Sequence, residues 1–133
     1  MKIVVGYDGS DSAKRALQRA ADLAGSADRI VVVAAAESHA RAGIAKGAHL
    51  DPSEVQQRLG DLEEAQRLLS ERGIDAEAVE AQGDPGAVIV EAAKDADLIV
   101  VGSRGLNPAQ RILLGSVSSK VVHRAACDVL VVR

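Results

Sequence analysis

Short apolar runs alternate with segments of helical spacing from one end of the chain to the other. Ile3-Val4-Val5 is a β-branched run closed by Gly6 and an Asp8-Gly9 turn, which predicts a strand. Ser10 or Asp11 can cap the helix that follows, in which Ala13, Ala16, Leu17, Ala20 and Ala24 share one face before Gly25. Ile30 to Val33, running into Ala34-Ala35-Ala36, is apolar at every position, as in a strand covered on both faces. Residues 37–50 show little pattern. Asp51-Pro52-Ser53-Glu54 then reads as a helix start, and Val55, Leu59, Leu62 and Leu69 continue an apolar face as far as Gly73. Ile74 to Ala81 alternates apolar and acidic residues, with a slip at Ala78-Val79, which suits an edge strand. Asp84-Pro85 opens a third helix carrying Ile89, Ala92, Ala93 and Ala96. Leu98 to Val101 predicts a buried strand, Ser116 to Ala126 a fourth helix, and Val129 to Val132 the last strand.

Five strands separated by four helices predict a single α/β domain over residues 1–133. Parallel strands need such crossovers, and right-handed ones wind helices onto both faces of one sheet. Ligands of these sheets bind beyond the carboxyl ends of the strands, where the strand order reverses.

Composition narrows the function. Tyr7 is the only aromatic residue among 133, so stacking platforms for nucleic-acid bases are missing. The net charge of −3 and the scattered basic residues form no phosphate-tracking stripe, which also speaks against DNA or RNA as partner. The opening segment reads as a strand and not a signal peptide, and no apolar stretch approaches the roughly 20 residues of a membrane span. Cys127, alone, has no internal partner and fits a reducing compartment. A cytoplasmic location is expected.

The chemistry concentrates after the fourth strand. Gly102-Ser103-Arg104-Gly105 is followed, nine residues on, by Gly115-Ser116-Val117-Ser118-Ser119-Lys120. Glycines let backbone approach a ligand, and the first turn of the helix after Gly115 offers free N–H groups and a positive dipole end. Ser116, Ser118 and Ser119 add hydroxyls, and Arg104 adds charge or is a solvated loop residue. The set is equipment for holding phosphates, or else three glycines serving tight turns. It is not a Walker A loop, which needs Lys-Ser/Thr after its second glycine, nor a dinucleotide fingerprint, for which only Gly6 and Gly9 follow the first strand. Asp8-Gly9-Ser10-Asp11-Ser12 lacks two residues of an ATP-pyrophosphatase loop. His39 and His49 are too far apart for a local metal pair, and His123 lies about 10 Å along the helix from Ser116. Lys120 reads as a surface residue and Cys127 as packing.

Gly102-x2-Gly105-x9-Gly115-Ser116, with Leu98 to Ser103 before it and Cys127 to Val132 after it, resembles the glycine motif of ATP-binding universal stress proteins. Ile3 to Ser10 resembles that family's opening segment. The resemblance implies a doubly wound Rossmann-like parallel sheet of order 3-2-1-4-5. It implies ATP as ligand, with Gly102, Gly105, Gly115, Ser116 and Ser118 at the phosphates and Arg104 and Val117 beside them. Gly6, Tyr7 and Asp8 would lie near the nucleotide, Asp8 also as a Mg²⁺ ligand, whereas its bland role is to cap the turn at Gly9. Ala34 and Val101 would line the adenine pocket, Ala34 being smaller than the branched residue expected there. AMP and cyclic nucleotides stay open as ligands. The resemblance further implies a homodimer through residues 129–132.

Two classes follow: a nucleotide-dependent regulator in stress response, or a slow ATP-hydrolysing enzyme. A nucleotide-free dimeric scaffold is a third. With no second domain, no base near the loop except Asp8 and no arginine finger besides Arg104, the expectation is a binding protein with no catalytic residues.

Overall fold

The computed structural model describes residues 1–37, 51–104 and 114–133. His39 and His49 lie outside them, as does Gly105. The elements, in chain order, are β1 (Lys2–Gly6), α1 (Asp11–Leu23), β2 (Arg29–Ala36), α2 (Pro52–Ser70), β3 (Glu77–Gln82), α3 (Pro85–Ala92), β4 (Leu98–Gly102), α4 (Ser116–Arg124) and β5 (Asp128–Val132). The strands form one sheet of order β3-β2-β1-β4-β5, and every pair is parallel.

The continuous apolarity of the inner strands has a direct cause. Successive side chains point to opposite faces, and both faces are covered. Ile3 and Val5 of β1 join Leu17, Ile30, Val32, Leu62 and Leu69 in a core under α1 and α2. Val4 joins Val31, Val33, Ile89, Ile99 and Val121 in a second core under α3 and α4. Fully burying each such side chain is worth roughly 1.5–3 kcal/mol, so the two clusters supply the main drive for the layered arrangement.

The helix starts follow the caps in the sequence. The Ser10 hydroxyl accepts from Ala13 N at the head of α1, and Asp51 and Asp84 accept from Ser53 N and Ala87 N at the heads of α2 and α3. Three boundaries differ from the pattern, one of them the end of α4, which stops at Arg124 because Ala125 is extended. β3 begins at Glu77, because Gly73 turns with φ +76° and Ile74 N donates to Leu69 O, closing α2 instead of opening a strand. The third helix stops at Ala92, where Ala93 leaves helical geometry and Ala96 closes a turn on it.

Candidate functional site

β1 and β4 are neighbours, but the chain leaves β1 toward β2 and leaves β4 toward β5. A crevice opens at such a reversal, outside the carboxyl ends of the strands. Here it is a cavity of about 320 Å³, within the range of about 300–1,000 Å³ usual for small-molecule sites.

The floor is the end of β1. Gly6, Tyr7 and Asp8 all line the cavity. Tyr7 N extends the ladder to Val33 O at 2.9 Å, its ring is 4% exposed, and its hydroxyl donates to Glu64 Oε1 of α2. Burial, then the Glu64 contact and nearby carboxylates, raise the phenol's pKa well above its ordinary value, so it stays neutral. Asp8 Oδ1 accepts from Ser10 N at 2.9 Å, the turn-capping role. Its carboxylate nonetheless borders the cavity. Gly9 turns at φ +79°, and a Cβ there would come within 2.8 Å of Asp61 Oδ1, so both conformation and space require glycine.

One wall is the end of β4 and the start of α4. Val101, Gly102, Arg104, Gly115, Ser116, Val117 and Ser118 line it, so the structure gathers these sequence-selected residues around one space. Gly115 is the N-cap of α4 and has no side chain to cap it, which leaves first-turn N–H groups without a side-chain acceptor. Ser103 holds this wall together. Its N–H donates to Val132 O at 2.7 Å, and its carbonyl accepts from Gly115 N at 2.6 Å and from the Ser118 hydroxyl at 3.3 Å. Gly102 has a role the sequence does not reveal: a Cβ there would meet Ser12 Oγ at 2.3 Å and the Ser12 backbone at 2.8 Å. Its missing side chain lets α1 approach β4.

Ala34 does not line the cavity. Its side chain is 1% exposed and packs in the α1–α2 core, while Val33 and Ala35, its neighbours on β2, line the cavity. Val101 belongs to the opposite core, so the sheet stands between the Ala34 and Val101 side chains.

The second wall escaped the sequence reading. It comprises Val33, Ala35 and Glu37 of β2 and its end, with Glu54 and Arg58 of α2. Glu54 Oε1 accepts from Glu37 N at 3.0 Å. Arg58 Nε stands 3.0 Å from Asp61 Oδ2, an ion pair without aligned hydrogen-bond geometry, and both side chains are largely buried. Burial, reinforced by Asp8 and Glu64, raises the Asp61 carboxyl above its ordinary pKa, and Arg58 pulls the other way. Pro85 and Ile89 of α3 complete the lining with Ala13 of α1. A signal did exist. In a parallel sheet every connecting helix begins at the strands' carboxyl edge, so the first turns of α2 and α3 must border the crevice.

Lys120 is an inter-helix tie: its Nζ donates to Asp84 Oδ2 at 2.8 Å, and its stem lies over Gly86. His123 is exposed on α4, and Cys127 packs partly buried against the α3–α4 core, its thiol pKa raised chiefly by burial. Among the described residues no group of three His, Cys, Asp or Glu side chains could enclose a metal, and no helix is long and apolar enough to cross a membrane.

Comparison with known proteins places this geometry. The universal stress protein family model matches residues 1–133. The universal stress protein YxiE of Bacillus subtilis is 35% identical over 145 residues, covering 99% of this chain and 98% of the relative. A universal stress protein solved in complex with cAMP is 31% identical with a TM-score of 0.76, covering 100% of this chain and 97% of that one. The universal stress protein of Archaeoglobus fulgidus, solved in complex with dAMP, is 27% identical with a TM-score of 0.74, covering 100% and 98%.

Proposed function

The chain belongs to the universal stress protein family, and from that premise we propose that it is an ATP-binding regulator of stress response, soluble in the cytoplasm, whose nucleotide occupancy controls its assembly or its partners. The observation that carries the reading is the β4–α4 wall. There an uncapped helix start and the glycine-bounded ends of one loop converge on a cavity at the topological switch point. The similar structures in complex with cAMP and dAMP support an adenine nucleotide as ligand.

In this reading Gly102, Gly115, Ser116, Val117 and Ser118 hold the phosphates, with Gly105 from the loop outside the described residues and Arg104 adding charge. The α4 dipole and free N–H groups favour the anion without any proton transfer. Mg²⁺ fits the donor set: it is usually held by one or two carboxylates plus the substrate's own phosphates, and Asp8 presents one carboxylate to the cavity. The other lining carboxylates, Glu37 and Glu54, belong to the opposite wall. Among the described residues no carboxylate except Asp8, assigned here to the metal, stands on the phosphate side, and turnover should fall far below the roughly 1–100 per second of kinases.

Nucleotide content after gentle purification, combined with a steady-state assay, tests the proposal. ATP recovered in near-stoichiometric amount with negligible turnover is expected. Empty protein without affinity for added ATP would leave a nucleotide-free scaffold, and brisk release of ADP lost on Asp8→Asn would make the protein an enzyme.

A further inference from the structure

We propose that Arg58 reads the base: its guanidinium contacts the nucleobase of a bound purine nucleotide and sets the preference for it. The inference rests on the nucleotide reading above and adds to it a residue outside the glycine motif. Arg58 lies on α2, which packs on β2, β3 and α1. Its side chain is only 11% exposed, yet it lines the cavity. Asp61 fixes the near end through Nε at 3.0 Å, and among the described residues no hydrogen bond engages the outer Nη groups. Arginine carries five donors in a planar fork, so donors remain for a ligand.

Position decides which part of the ligand they meet. β2 and β4 flank β1, and two strand spacings of about 4.8 Å separate the walls by roughly 10 Å. Phosphates at the start of α4 put the base on the β2 side, where Arg58 is. Charge agrees: Asp61 pairs with Arg58, and Glu37 on the same wall repels phosphate but can accept from an amino group of a purine. A base also needs a flat partner. Tyr7, the chain's one aromatic, is buried and tied to Glu64, whereas a guanidinium both stacks on rings and donates to their edge nitrogens. Among the described residues the other arginine lining the cavity, Arg104, belongs to the phosphate wall.

Titration calorimetry with ATP, ADP, AMP and CTP on wild type, Arg58→Met and Arg58→Lys tests this, with unliganded melting curves as the check on folding. Wild type should prefer ATP to CTP. The Met variant should weaken ATP, ADP and AMP by one common factor of about ten, the scale of a lost charged hydrogen bond, and level the ATP–CTP preference. The Lys variant keeps the charge beside Asp61 but loses the plane, so the preference should stay level; it carries the test alone if the Met variant does not fold. Unchanged affinities, a loss that shrinks from ATP to AMP, or a preference restored by Lys would each overturn the assignment. Wild type with no affinity for any nucleotide would instead overturn the nucleotide reading, and this inference with it.

Discussion

At the scale of residues, the same side chain often serves the fold and the site together. Asp8 caps its own turn through Oδ1 and also borders the cavity. Asn preserves that acceptor while removing the charge. Asp8→Asn should therefore leave stability within about 0.5 kcal/mol, the range of substitutions that break no structural feature. It should erase most of the gain in ATP affinity that Mg²⁺ gives over EDTA, as read by titration in the two buffers. An equal loss with and without Mg²⁺ would mean that Asp8 touches the nucleotide and not the metal. Gly102 and Ala34 mark how far the sequence could be read at this scale. A glycine motif announces that Gly102 matters, but not that its missing Cβ accommodates Ser12, because Ser12 is distant in the chain. Ala34 sits in a run apolar at every position, so alternation gives no clue to its face, and only the register shows Val33 and Ala35 toward the cavity. Arg58 was illegible for a related reason: an arginine in the second turn of an amphipathic helix looks like any solvated charge until the fold brings that turn to the crevice.

At the scale of elements, the caps made the helices legible, and they also carry testable energy. Asp84 Oδ2 caps α3 through Ala87 N at 3.0 Å and binds Lys120 Nζ of α4 at 2.8 Å. Asp84→Ala should cost about 1 kcal/mol in chemical denaturation, the usual value for a lost N-cap. Asp84→Asn retains a capping oxygen but not the ion pair. The Lys120 contact first, and the Ala87 N–H second, hold the Asp84 carboxyl below its ordinary pKa. A depressed folded-state pKa stabilises above the unfolded value and ceases to as pH falls through the folded value. The wild-type advantage over Asp84→Asn should thus be present at neutral pH and vanish in acid; an advantage independent of pH would contradict the ion pair. The ends of β3 and α3 were harder to read. Ile74 and Ala96 are apolar and in phase with the neighbouring pattern, yet Ile74 closes α2 and Ala96 a turn, both through backbone bonds that side-chain periodicity cannot register.

At the scale of the whole molecule, β5 is one of the two edge strands of the sheet. The Val132 carbonyl accepts from Ser103 N beside β4, and backbone groups alternate sides along a strand. Leu130 and Val132 therefore bond inward, while Val129 and Val131 present their N–H groups to the open side. An unprotected apolar edge invites pairing, and two-fold contact with a second copy is its simplest cover. Val131→Pro should give a folded monomer in sedimentation, and Leu130→Pro should unfold the domain, because proline removes one donor from one side only. A Val131→Pro variant that stays dimeric would place the interface elsewhere, and a monomeric wild type would rule the dimer out. The fold itself was legible because every strand and cap agreed on one alternation, whereas the cavity's second wall emerged only when that alternation closed into a sheet. The central claim remains that the crevice between β1 and β4 holds ATP at the start of α4, and thermal unfolding with and without Mg·ATP tests it most directly. At a hundredfold excess over Kd the stabilisation should reach about 2.7 kcal/mol. For a domain of this size that is a rise in Tm of roughly 5–15 °C. Gly115→Val, whose backbone at φ −68° tolerates a side chain but whose methyl groups would occupy the phosphate space, should fold and show no rise. A wild type whose Tm does not move at millimolar ATP, or a Gly115→Val variant that rises as much as wild type, would contradict the account.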